Sequence, residues 1–155
     1  MISIADTLEP DRIRLSLSSN IGQIAIDEVA AMMRNVNEVL DWDELHAGLH
    51  RSAPCLAESG GEIAICLPHA RTDAVTSMVM AVGRSLTGVQ FRGCNAPVRY
   101  IFCIGVPKAL ANDYLRIVGL LARILKQPKT EMALRNAQSP QEFIHHLSVL
   151  ETALR

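Results

Sequence analysis

The segment Ile63-Ala64-Ile65-Cys66-Leu67-Pro68-His69-Ala70-Arg71 places a histidine directly after a proline where an apolar run closes, with an arginine two residues further on. A neutral imidazole is a good nucleophile near neutral pH, because its ordinary pKa is about 6.5. To attack phosphorus it needs one ring nitrogen unprotonated and aimed outward. The other nitrogen must donate to a fixed acceptor, which selects the tautomer. Pro68 fixes its own φ and restricts Leu67, so the residue that follows is held in a defined direction. Phosphoryl transfer also needs in-line placement and positive groups around the equatorial oxygens. The planar donor fork of arginine suits that task. Arg71 is near enough in sequence to serve, although a solvated surface charge is its ordinary role.

The other candidate groups read as structural. His46 and His50 share a helix face at a spacing that can hold a metal. No glutamate follows His46 and no third ligand is visible nearby, so no metal is expected. His145 and His146 are adjacent and point to different sides of a helix, as a solvated pair does. Asp27 and Glu28, and Asp41, Asp43 and Glu44, read as helix surface and cap chemistry. Ser59-Gly60-Gly61 lacks the G-K-[ST] continuation of a phosphate-cradling loop. Of the four cysteines, Cys55, Cys66, Cys94 and Cys103, no two form a C-x-x-C pair. Cys66 and Cys103 fall in apolar strand patterns and read as buried small hydrophobes; a reduced, cytoplasmic protein fits these spacings.

Positioning His69 requires a sheet flanked by helices. Asp11 to Leu17 alternates as a short strand, and the spacing of Ile21, Ile24, Ala25, Val29, Met32, Met33 and Val36 is helical to about Leu40, with Asn20 and Gln23 as a capping box. A second helix starts at Asp41, with Glu44 three residues on, and runs to about Arg51. Residues 54–61 read as an irregular loop. Ile63 to Leu67, Met78 to Val82 and Val98 to Val106 read as strands, the last nearly all apolar and therefore central. Ser85 to Gly88 and Arg92 to Pro97 supply turns. Helices follow over Pro107 to Gln127, over Thr130 to Ala137, and from a Ser139-Pro140-Gln141-Glu142 start. Helices, then strands, then helices argue for a three-layer α/β/α sandwich with a mixed central sheet.

Bulk properties exclude several classes. The chain has 155 residues, enough for one domain, residues 1–155, with a substantial core. Hydrophobic residues make up 49% but aromatic ones only 4%, so Leu, Ile, Val, Ala and Met must build that core. With 15 basic and 16 acidic side chains the net charge is −1, and no positive field exists to hold nucleic acid. No secretory signal is visible at Met1 to Asp6, and no apolar run approaches the roughly 20 residues a membrane span requires.

The apolar strand closing on Pro68-His69, together with Leu49-His50-Arg51 upstream, resembles the enzyme IIA family of the phosphotransferase system, of the fructose, mannitol and nitrogen-regulatory type. The resemblance continues through Gly88-Val89-Gln90-Phe91, Pro97 to Ile104, Tyr114-Leu115 with Leu120-Leu121-Ala122, and Leu134 to Glu142, and so covers nearly the whole chain. It implies that His69 accepts a phosphoryl group from an HPr-like carrier and donates it onward, or acts as a switch read by a partner. It implies that Arg51 orients the phosphoryl oxygens, that no metal or organic cofactor takes part, and that transport would need a separate permease. The free-standing length resembles the bacterial nitrogen-regulatory branch.

The chain departs from the family pattern in three places. Tyr114 stands where the family usually has a second histidine near the acceptor; it can hydrogen-bond phosphate but carries no imidazolium charge. Ser52 stands where an acidic residue is common, and the stretch from Arg51 to His69 is slightly long, with Cys66-Leu67 the candidate extra residues. These departures keep open an alternative, a IIA-like regulatory module that docks partners with weak or no phosphoryl transfer.

Overall fold

The computed structural model describes residues 2–57 and 64–154. The chain runs through β1 (Ile13–Arg14), α1 (Gly22–Ala30), α2 (Trp42–Arg51), β2 (Cys55–Ala57), β3 (Ala64–Cys66), β4 (His69–Arg71), β5 (Val79–Val89) and β6 (Val98–Val106). Then come α3 (Ala111–Lys126), α4 (Pro128–Asn136) and α5 (Pro140–Ala153). The strands form one sheet in the order β1-β5-β6-β3-β2, with β4 also pairing β6. The β1–β5, β3–β6 and β4–β6 pairs are parallel, whereas β5–β6 and β2–β3 are antiparallel.

Side-chain alternation on β5 and β6 creates a core on each face. Met80, Val82, Tyr100, Phe102, Ile104 and Val106 pack with Ile117, Leu121 and Ile124 of α3, Leu134 of α4, and Phe143 and Leu147 of α5. Val79, Ala81, Ile101 and Cys103 face the other way, onto Ile26 and Val29 of α1 and Leu45 and Leu49 of α2. A strand covered on both faces must be apolar at nearly every position, which explains the composition of Val98–Val106. The outcome is the expected α/β/α sandwich with a mixed sheet.

The caps of α2 and α5 form as their sequences dictate. Asp41 Oδ1 accepts from the Glu44 amide at 3.2 Å, and Ser139 Oγ accepts from the Glu142 amide at 3.1 Å with Pro140 in the first turn. The first helix differs. Asn20 and Gln23 form no capping box; Gln90 instead donates to Asn20 O at 3.0 Å and accepts from the Gly22 amide at 3.1 Å. That pairing holds residues 20 and 21 extended, so the helix begins only at Gly22. It gives way to a 3-10 turn, Ala31–Met33, and does not reach Leu40. The amides of Leu40 and Asp41 both donate to Ala74 O, and Val39 bridges Val75, so this backbone is committed to extended pairing.

Other boundaries shift for equally concrete reasons. The strand expected over Asp11 to Leu17 contracts to Ile13–Arg14 behind a 3-10 turn at Pro10–Arg12. No reversal occurs at Ser85 to Gly88: β5 continues to Val89 through a register shift, and Gly88 takes φ +92°. A Cβ on Gly88 would meet the Pro97 Cβ at 2.6 Å, which leaves room only for glycine. β2 occupies the start of the segment read as loop; Glu58 to Gly61 and Ile63 lie outside the described residues.

Two further tethers join distant parts of the chain. Arg84 is 6% exposed, and its guanidinium donates to the carbonyls of Leu15, Leu134, Arg135 and Ala137. It thereby satisfies the open C-terminal carbonyls of α4. Cys55 and Cys94 are joined as a disulfide with Cα atoms 6.0 Å apart, so the expectation of reduced thiols holds only for Cys66 and Cys103. The cause is tertiary: both partly buried residues pack on the core beneath α1 and α2. Among the described residues, no helix is long and apolar enough to cross a membrane.

Candidate functional site

The cleft around His69 begins with a close approach between α2 and β4. Gly48 lies one turn before the end of α2, and a Cβ there would sit 2.6 Å from the Ala70 Cβ. The absent side chain lets the helix lie against the strand and delivers Arg51 and Ser52 to its start. Backbone bonds then fix the junction: the His69 amide donates to Ser52 O at 3.0 Å, and the Leu67 amide to Pro54 O at 2.9 Å.

Pro68 interrupts the strand without changing its step. Cys66 pairs with Ile101 and His69 with Ile104, three residues on in both strands, and Pro68 O accepts from the Ile104 amide at 2.9 Å. Cys66 and Leu67 therefore add no extra residue against β6. His69 is not in a loop beyond the strand end, as its sequence context suggests, but opens a short edge strand. Proline has no amide hydrogen, so only its carbonyl ties residue 68 to β6, and the ladder breaks there between β3 and β4.

This geometry sets the tautomer. His69 Nδ1–H donates to its neighbour's carbonyl, Leu67 O, at 3.0 Å. In the neutral ring Nε2 is then the nitrogen without a proton, and among the described residues its one hydrogen-bond contact is the Ser52 hydroxyl, at a long 3.4 Å. The imidazole stacks on Tyr114 from the first turn of α3, with ring centroids 4.7 Å apart and planes at 29°. The half-buried tyrosine packs against the core, and burial pushes its phenol up to about 12. It remains a neutral hydrogen-bond donor at physiological pH and brings no positive charge.

Positive charge comes from the arginines. Arg51, Ser52, His69, Arg71 and Thr72 line one open cavity of about 220 Å³. Arg51 is exposed, and among the described residues its side chain makes no hydrogen bond or ion pair. Arg71 Nε donates to Lys108 O at 3.2 Å, which anchors that side chain beside the cleft. Among the described lining residues the one carboxylate, Glu44, accepts from the Thr72 hydroxyl at 2.9 Å. An unprotonated imidazole nitrogen with unengaged guanidinium donors beside it can attack phosphorus and hold the resulting anion.

Arg51 and His69 thus share a cavity, and Tyr114 supports the ring from the opposite layer. Ser52 was legible only as a departure from an acidic pattern; its contact with Nε2 needs the α2–β4 junction. His145 and His146 stay on α5, with His146 Nε2 3.4 Å from Glu142 Oε1. His46 and His50 do have a third group beside them, contrary to the sequence reading, because Asp27 of α1 faces both.

Comparison with known proteins bears on this arrangement. Residues 6–149 match the model of the family described as "Phosphoenolpyruvate-dependent sugar phosphotransferase system, EIIA 2". Over 86 residues the chain is 36% identical to the fructose-specific EIIA component of Haloferax volcanii, a match covering 55% of this chain and 56% of that one. The chain therefore spans about half the length of this curated relative. In fold it is similar to the nitrogen regulatory protein IIA-Ntr of Neisseria meningitidis (TM-score 0.77, 21% identity, covering 93% of this chain and 98% of that one). It is similar also to a chain in the complex of IIA-mannitol with phosphorylated IIB-mannitol from Escherichia coli (TM-score 0.67, 16% identity, covering 92% and 97%).

Proposed function

Because this chain belongs to the phosphotransferase-system EIIA 2 family, we propose that it is a cytoplasmic phosphocarrier whose acceptor atom is Nε2 of His69. The Nε2 lone pair attacks the phosphorus of a phosphohistidine on an HPr-like donor. The donor's P–N bond breaks and its nitrogen recovers the electron pair. A new P–N bond forms on His69, while Nδ1 keeps its proton and its bond to Leu67 O. Transfer to a IIB-type component reverses these roles. Arg51 orients the phosphoryl oxygens, with Arg71 at the cleft edge. The observation that carries this reading is the Nδ1–Leu67 O bond of 3.0 Å, which leaves Nε2 as the free nucleophile within an arginine-lined cavity.

The alternative is a regulatory module that binds partners through the same surface with little transfer. The stacked Tyr114 favours it, since a neutral phenol replaces a second imidazole beside the acceptor. Incubation with enzyme I, a cognate HPr and phosphoenolpyruvate distinguishes the two. The phosphocarrier reading expects an acid-labile mass gain, lost in His69→Ala and assigned to Nε2 by nitrogen-detected NMR. An unmodified wild-type protein whose partner binding survives both His69→Ala and His69→Asp supports the docking module instead.

A further inference from the structure

We propose that Asp27, His46 and His50 form a binding site for a divalent transition-metal ion of the zinc type, separate from the His69 cleft. His46 and His50 are one turn apart on α2, so their rings project from the same face. Each presents Nε2 to Asp27 Oδ1 on α1, at 2.6 Å in both cases, and the three ligand atoms lie within 4.8 Å of one another. The rings stand nearly edge to face, with centroids 4.8 Å apart and planes at 73°. Each Nε2–H donates to the same oxygen, so an ion entering between them displaces both Nε2 protons and leaves each ring protonated at Nδ1.

Simple helix-to-helix pairing does not require this convergence. One carboxylate oxygen accepting from two imidazoles leaves Oδ2 without a partner in the triad. Asp27 stands beside both rings, so its carboxylate oxygens are placed to serve as ligands with them. Tetrahedral coordination at zinc–ligand distances of about 2.0–2.1 Å needs ligand atoms about 3.3 Å apart, so a small rotation of the side chains opens the present 2.6 Å spacing to accept an ion. Two imidazole nitrogens and a single carboxylate suit zinc and its first-row neighbours. Magnesium and calcium prefer more oxygen ligands. A three-ligand set also leaves a fourth position for water or another small ligand.

The two flanking elements are well held. The acidic neighbour Glu28 is already engaged by Arg14 and by the Ser18 amide, so it does not compete for the site. The Trp42 ring lies 5.3 Å from His46 and restricts its imidazole. His50 also lines a cleft of about 530 Å³ with Ile26, Gln90 and Phe91, which gives a ligand on the ion room to extend.

The test is titration of the full chain with Zn²⁺ against a chromophoric chelator, together with Co²⁺ spectra. The expected result is one equivalent bound, unaffected by excess Mg²⁺. Loss of outer groups around metal sites already costs about 10–100-fold in affinity, so Asp27→Asn, His46→Gln and His50→Gln should each weaken binding by at least that much. His145→Gln and His69→Gln should leave it unchanged. Co²⁺ should give visible bands without a sulfur charge-transfer band. Folding of each variant is checked by circular dichroism, and imidazole shifts on Zn²⁺ addition give a readout within the wild type. Binding that survives the triad substitutions, disappears on removing Cys55 and Cys94, or fails to perturb His46 and His50 overturns the proposal. Because His69 is unaltered in the triad variants, their phosphorylation is independent of this result.

Discussion

Substituting Arg51 by alanine tests the core of the phosphoryl-transfer reading. Arg51 lies in the last turn of α2, lines the His69 cavity, and has no side-chain hydrogen bond or ion pair among the described residues. Its donors would therefore engage phosphoryl oxygens without first breaking another bond. A hydrogen bond to a charged group contributes about 1.5–3 kcal/mol, and each 1.4 kcal/mol is about tenfold. A unit charge pair 4 Å apart is worth about 1 kcal/mol in water and about 4 kcal/mol at a protein surface, which brackets the same range. The exposure of Arg51 favours the lower end, so Arg51→Ala should slow transfer from phospho-HPr by about 10–30-fold. Arg51→Lys keeps the charge but loses the fork, and should fall between the two. The assay is rapid-quench phosphorylation of His69 followed on phosphate-affinity gels. Loss of the helix-end cation costs stability only about 0.3–1 kcal/mol, so folding does not confound the rates. Rates within twofold of wild type for Arg51→Ala would refute the reasoning and move the cationic role to Arg71.

Gly48→Val should destabilise the fold by about 1–3 kcal/mol, because the added Cβ meets the Ala70 Cβ at 2.6 Å. The same shift displaces Ser52 and slows phosphorylation; an unchanged denaturation midpoint would show that α2 does not need this approach. Arg84→Met removes the donor from the carbonyls of Leu15, Leu134, Arg135 and Ala137, leaving Leu134 O only its long 3.4 Å bond from the Ala137 amide, and should cost about 3 kcal/mol in urea unfolding. A loss under about 1 kcal/mol would mean that water or backbone movement replaces the guanidinium. Burial holds the Tyr100 and Tyr114 phenols above their ordinary pKa of 10.0, Tyr114 at about 12. The unfolded chain then loses these protons first, so their contribution is complete below about pH 10 and is lost as pH rises through the folded values. Stability should decline above about pH 10, and a folded-state phenolate absorbance with its midpoint near 10 would contradict this.

Much of the architecture is encoded locally and could be read in one dimension. The apolar run Val98–Val106, interrupted by the charged Arg99, marks a strand covered on both faces, and Asp41 and Ser139 cap the helices their side chains can reach. The pairing of proline with histidine at Pro68-His69 likewise marks the proposed acceptor, because proline restricts its own neighbours wherever it lies. Tertiary structure decided the rest, since the partners lie far apart in the chain. Gln90 determines where α1 begins, and Ala74 ends the expected helical run by taking the amides of Leu40 and Asp41. A three-residue edge strand such as β4 carries too few side chains for a period to show. Which nitrogen of His69 is free depends on a backbone carbonyl whose direction only the break at Pro68 sets. Asp27 reaches His46 and His50 only because α1 packs beside α2, and Cys55 meets Cys94 only across the folded core. Periodicity and capping act over one or two turns of chain, whereas a site forms where separate segments converge, and that convergence is set by how the two cores fill.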